Sequence, residues 1–266
     1  MNFFNAAEGV ENYANAGKNK SEMPFGKMIA LGVLAGILIG IPAMVTNMAS
    51  YSFDNNSLVR IISGVFFAFG LGIVVLTGAE LFTGNTLIII SVLDKRTSVV
   101  KMLRNWITVY ISNFVGAILV SLAAAKFNWM SAGNGALAEF CFKLANSKMT
   151  MSFQNAFVMG ILCNMLVTLA VLVSLQAKDV TGRILGAWVP VMFFVIAGFS
   201  HSIADMTYCM MALFAKSVYP EIAANYPSLT WGNYFSGNML PVTLGNIVGG
   251  CAVGVLFWFA YLRKKK

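Results

Sequence analysis

The sequence predicts an all-α polytopic membrane protein: six transmembrane helices in an inverted repeat, with the second and fifth helices broken. Three observations lead there. Of 266 residues, 58% are hydrophobic and 11% charged, against roughly 45–50% and about 25% in a typical soluble domain. Six stretches are long and apolar enough to cross a bilayer, for which about 20 residues suffice. The two halves of the chain share short motifs in the same order. No soluble core of this length hides so much apolar surface. An ordinary soluble enzyme, a disordered chain and a disulfide-stapled secreted domain are therefore excluded.

The elements follow in order. Phe3, Ala7, Val10 and Ala14 recur at helical spacing within residues 1–27, which reads as an amphipathic helix on the cytoplasmic interface. A frayed tail is the alternative. No small-residue cleavage site follows this mixed-charge stretch, so no secretory leader is expected. The spans are expected at about 28–50, 60–90, 105–126, 153–175, 184–214 and 238–262. Together they form a membrane domain over 28–262, with repeats at 28–126 and 153–262. The basic tail 263–266 anchors the end to an anionic leaflet.

Six spans put both termini on one side. Thirteen of the 18 Lys and Arg residues fall on that side; Arg60, Lys126, Lys143, Lys148 and Lys216 fall on the other. The positive-inside rule makes the richer side cytoplasmic, which places the chain in the cell's inner (plasma) membrane, in contact with the lipid bilayer. The net charge of +8 thus reads as orientation. Because the basic residues are split among short loops, no nucleic-acid partner is expected. Cys163, Cys209 and Cys251 fall in or beside spans and Cys141 in the 127–152 loop, with no CxxC spacing. That supports neither a zinc site nor a disulfide framework, and no cofactor is expected.

Within the repeat, Gly36-Ile37-Leu38 matches Gly160-Ile161-Leu162. Asn113-Phe114-Val115-Gly116-Ala117 matches Asn246-Ile247-Val248-Gly249-Gly250, the offsets being roughly 125–133 residues. Three spans per half require the halves to insert with opposite topology. A pair of glycine-interrupted helices in such a repeat points to a translocation site near the bilayer midplane.

The second span breaks at 77–85 and the fifth at 197–205. Non-helical backbone at that depth is tolerated only where protein or a wet cavity satisfies it. Glu80, His201 and Asp205 are the only ionisable residues well inside the spans, and His201 is the only histidine. An ionisable group there costs about 2.5–3.5 kcal/mol on insertion scales, so each is a functional candidate. His201 also reads as a hydrogen-bonded core residue. Glu80 reads equally as a cap on a broken half-helix. Thr83 and Asn164 are polar at mid-membrane and could be ordinary interhelical hydrogen bonders.

Four segments together resemble the formate/nitrite transporter family. They are Gly78-Ala79-Glu80-Leu81-Phe82-Thr83-Gly84-Asn85, Gly160 to Val167, Gly198 to Met206 and Leu240 to Gly250. The resemblance runs from about Phe25 to Arg263. It implies an aquaporin-like six-helix protomer, a homopentamer with one pore per protomer, and passage of small monovalent anions such as formate, nitrite or hydrosulfide. The family's pore threonine falls on Thr83, its central histidine on His201 and its neighbouring asparagine on Asn164. Its attracting lysine falls on Lys148, its apolar constrictions on Leu81, Phe82 and Phe194, and the polar residue of its sixth span on Asn246. The family usually has Glu where this chain has Ser200, and Asn where it has Asp205.

The expected physics is that of a dehydrated anion, which is costly to place in an apolar constriction. Lys148 would concentrate anions at the mouth, although it also reads as a plain solvated loop charge. His201 would donate a proton or a hydrogen bond. Thr83 and Asn164 would hydrogen-bond the solute, and Leu81 and Phe194 would exclude hydrated cations. Asp205, four residues past His201, would hold the imidazole if the stretch stays helical. Rival readings are a water or neutral-solute channel, which lacks its paired Asn-Pro-Ala starts here, and a membrane-embedded enzyme, for which one histidine and no HExxH motif are poor equipment.

Overall fold

The computed structural model describes residues 3–263. Ten helices carry the fold: α1 Ala6–Ser21, α2 Phe25–Ser50, α3 Asn56–Thr77, α4 Phe82–Leu93, α5 Val99–Lys126, α6 Ala136–Met149, α7 Phe153–Gln176, α8 Val180–Ala197, α9 Ser202–Ala215 and α10 Trp231–Tyr261. Six of them, α2, α3, α5, α7, α8 and α10, are long and apolar enough to span a membrane. The ends differ from the sequence expectation where polar residues continue a helix past its apolar core. Thus α5 starts at Val99 and runs through Lys101 and Arg104, capped by the Ser98 hydroxyl.

The helices pack in matched pairs, α2 with α5 and α7 with α10, while α3 and α8 pack across the middle. Glycines let the matched pairs approach closely. A side chain at Gly116 would collide with the Val33 carbonyl, and one at Gly249 with the Ile161 carbonyl. Small residues at such contacts substitute for the hydrophobic driving force that lipid removes.

Two of the spanning helices end on a break, each followed by a shorter apolar helix. α3 ends at Thr77 and α8 at Ala197, each on a glycine with positive φ: Gly78 at 68° and Gly198 at 77°. That left-handed cap is nearly free for glycine alone. The chain then runs extended through Leu81 (φ −108°, ψ 122°) or His201 (φ −107°, ψ 114°) before α4 or α9 starts.

One asparagine staples each break. The Asn113 amide donates to Gly32 O (2.7 Å) and Glu80 O (2.8 Å), while its oxygen accepts from Phe82 N (3.0 Å). The Asn246 amide donates to Gly160 O (2.8 Å) and Ser200 O (3.1 Å), while its oxygen accepts from Ser202 N (2.9 Å). These bonds correct the register of the repeat. Gly160 pairs with Gly32, one helical turn before the Gly36 suggested by the tripeptide match. Gly36 instead occupies the position of Asn164. The shared Gly-Ile-Leu letters misled because α2 carries a glycine at every fourth residue, Gly32, Gly36 and Gly40.

α1 is an ordered helix whose Asn5 and Glu8 form a capping box. Its buried stripe is Gly9, Val10, Tyr13, Ala14, Gly17 and Ser21, whereas Phe3 and Ala7 are exposed. It docks on protein. Tyr13 donates from its hydroxyl to Gly84 O (3.1 Å), and Ser91 donates to Ala14 O (2.8 Å). The 127–152 stretch, expected as loop, contains α6, which buries Leu137, Cys141, Phe142 and Ala145. One face of the molecule gathers α1, the 94–98 turn and the 177–179 turn, joined by Arg96–Glu11 (2.8 Å) and the Phe3–Ala177 bridge. The opposite face gathers α6 and residues 216–230, where Lys216 donates to Leu229 O (2.8 Å).

Replacing Asn246 with Leu strands the Ser200 carbonyl and the Ser202 N–H in the core and removes a second bond from the Gly160 carbonyl. Loss of roughly 3 kcal/mol or more is expected, read as a lower unfolding temperature in detergent. Leu256→Ala, on an outward position 63% exposed, should leave that temperature nearly unchanged.

Candidate permeation site

The two breaks bring Thr83 and His201 together. Thr83 Oγ1 lies 2.7 Å from His201 Nε2, and the residues are 0% and 3% exposed. His201 also caps α9, its Nδ1 accepting from Ala204 N at 3.1 Å. A backbone N–H can only donate, so Nδ1 carries a lone pair and the ring proton sits on Nε2. Nε2–H therefore donates to Thr83, whose own hydroxyl proton stays available.

Beside this pair lies a cavity of about 10 Å³ lined by Ile39, Phe67, Leu71, Leu81, Val167, Val191, Phe194 and His201. That is room for the centre of about one water-sized particle. Phe194 stacks on the imidazole (5.8 Å between centroids, 23° between planes), and Phe67 meets Phe194 edge-on at 6.2 Å. Leu81 and Phe194 thus face the same space as His201. Phe82 does not line it; its ring is buried against Tyr110 (4.7 Å) and Trp106 (6.3 Å).

Asn164 is fully buried, and its amide nitrogen reaches Asn246 O (2.6 Å), Thr86 Oγ1 (3.1 Å) and Thr83 O (3.2 Å). Two carbonyl partners fix the orientation of the amide. Its oxygen is buried and has no hydrogen-bond partner among the described residues. Asn246 is different, because the backbone uses both ends of its side chain.

The ionisable residues lie elsewhere around the breaks. Glu80 caps no helix. It pairs with Lys20 Nζ (2.5 Å) and accepts from Asn85 (2.7 Å). Asp205 does not touch the imidazole. It pairs with Lys148 Nζ (2.5 Å) and accepts from Asn238 (3.0 Å). The expected contact fails because Asp205 sits in the first turn of α9, while His201 precedes it in extended backbone. Nor is Lys148 a solvated loop charge: its side chain is 14% exposed, with its ammonium 5.6 Å from the Tyr208 ring centroid.

Sequence reasoning missed Lys20, Asn85, Asn105 and Asn238. Lys20 was legible only as one of thirteen cytoplasmic charges. The signal that finds it is its separation of 128 residues from Lys148, the same as that of Gly32 from Gly160.

Residues 7–260 match the family model for the formate/nitrite transporter. The chain is 35% identical over 265 residues to the probable formate transporter of Methanothermobacter thermautotrophicus, covering 92% of each chain. It is 31% identical over 249 residues to the formate channel FocA of Escherichia coli (strain K12), covering 90% of this chain and 87% of that one. Among solved structures it resembles a pentameric formate channel with formate bound, at a TM-score of 0.81 and 32% identity, over 90% of this chain and 98% of that one. Its fold also matches an FNT family ion channel at a TM-score of 0.80. With its six spans, its two stapled breaks and a match over almost its whole length, the chain belongs to the formate/nitrite transporter family.

Proposed function

We propose that the chain is a channel that conducts small monovalent anions of weak acids, formate, nitrite or hydrosulfide, past the Thr83–His201 pair. The single observation carrying this reading is that hydrogen bond, buried beside a cavity whose other walls are apolar. A small solute reaching it takes the place of one partner in the bond. It then meets His201 Nε2–H and the Thr83 hydroxyl as two donors suited to a carboxylate or nitrite oxygen. The vacant Asn164 oxygen accepts the proton of the same solute when it arrives as its neutral acid. Leu81, Phe194 and Phe67 supply walls that strip water and disfavour hydrated cations.

This chemistry requires no turnover of the solute, in line with relatives that are channels and transporters. The assembly we infer is a homopentamer with a pore in each protomer, as in the pentameric neighbour. The orientation we infer places α1 and both termini in the cytoplasm of the inner membrane. It is supported by the gathering of α1 and the 94–98 and 177–179 turns on one face, where most basic residues lie.

In proteoliposomes, gradients of formate, nitrite and hydrosulfide should dissipate without chemical change, with lactate and chloride run alongside. Absence of flux for all five would overturn the reading. Thr83→Val and His201→Asn should each slow flux by roughly tenfold, since each weakens a hydrogen bond to a dehydrated solute worth about 1–3 kcal/mol. Mass measurement in detergent should give five chains per particle; a monomer would refute the assembly.

A further inference from the structure

The asparagine staples place the two halves in register, and that register reveals a relocated charge. The staple partners equate Gly32 with Gly160, Glu80 with Ser200, Phe82 with Ser202 and Asn113 with Asn246. Carried along the chain, and for the lysines into the preceding helix of each half, the same separations equate Lys20 with Lys148, Asn85 with Asp205 and Asn105 with Asn238. α1 and α6 are then counterparts, each delivering a lysine from its C-terminal end.

In the first half, Lys20 pairs with Glu80 (2.5 Å), Glu80 accepts from Asn85 (2.7 Å), Asn85 donates to Asn105 (2.9 Å) and Asn105 donates to Lys20 O (3.0 Å). In the second half, Lys148 pairs with Asp205 (2.5 Å), Asp205 accepts from Asn238 (3.0 Å) and Asn238 donates to Lys148 O (3.4 Å). The same ring of positions recurs with its carboxylate moved from the Glu80 site to the Asn85 site. At the vacated position the Ser200 hydroxyl is buried and has no hydrogen-bond partner.

We propose that Asp205 is the relocated counter-charge of Lys148, and that this pairing cancels the positive field which Lys148 would otherwise present to a permeating anion. Each half needs one carboxylate because a part-buried ammonium left without a partner is destabilising, more so at Lys148 than at the more exposed Lys20. Either position in the ring can supply it. Asp205 is thus a positioning residue that sets the electrostatics of the approach to His201 without touching the solute. This use rests on the channel reading; the pairing itself does not.

A stability and flux cycle tests both parts. Asp205→Asn should lower the melting temperature in detergent by roughly 5–15 °C. Returning the carboxylate to its other position, in Ser200→Glu with Asp205→Asn, should recover most of that loss. Removing both charges, in Lys148→Met with Asp205→Asn, should recover it too. In proteoliposomes, Asp205→Asn should raise formate flux at low ionic strength by roughly three- to tenfold. The double variant with Glu at position 200 should return flux to that of the natural sequence. Failure of both double variants to recover stability would overturn the pairing. Recovered stability with formate flux unaltered in Asp205→Asn would overturn the electrostatic role. Absence of flux in the natural sequence would instead refute the channel reading, leaving the melting-temperature cycle to decide the pairing.

Discussion

The structure depends on satisfying backbone groups where no water reaches. A helix that stops in mid-membrane exposes carbonyls and N–H groups that cost several kcal/mol each if left unpaired. Asn113 and Asn246 answer this with one side chain each, bonding both the extended segment and a carbonyl of the neighbouring span. The remaining features follow from that arrangement. The glycines beside the staples let the paired spans approach closely. The short helices begin where the staples hold them, and their starts bring Thr83, in the first turn of α4, against His201, just before α9.

Much of this was legible in the letters because membranes constrain sequence severely. Apolar length located the spans, and the positions of glycine and ionisable residues located both breaks. What was not legible was direction. Asp205 at the fourth residue after His201 suggested contact along a helix, but the helix starts after the histidine and the carboxylate turns to Lys148. Phe82 was assigned with Leu81 to the apolar constriction, yet adjacent residues at a helix start point to different sides, and Phe82 packs on Trp106 and Tyr110. Lys20 is remote in sequence from Glu80, and no local pattern joins them. The repeat was visible, but its register was not, because glycine recurs each turn in α2 and only a hydrogen bond distinguishes Gly32 from Gly36.

Ser200 and Asp205, which the resemblance alone would read as the loss of one charge and the gain of another, are linked in the structure. Through the internal repeat they become a single exchange within one ring of side chains. The chain keeps a carboxylate for each of these part-buried lysines and changes only where it stands. The side effect is local: the residue next to His201 is now a small, neutral hydroxyl, so no carboxylate adjoins the imidazole in sequence.

His201 has a double duty whose consequence is mechanical. Its Nδ1 lone pair holds the first turn of α9 through Ala204 N, and the same lone pair is the only place a second ring proton can go. A proton on Nδ1 and the capping bond from Ala204 N therefore exclude one another. A proton bound at Nδ1 would compete with the cap of α9, with the thermodynamic reciprocity that any such linkage obeys.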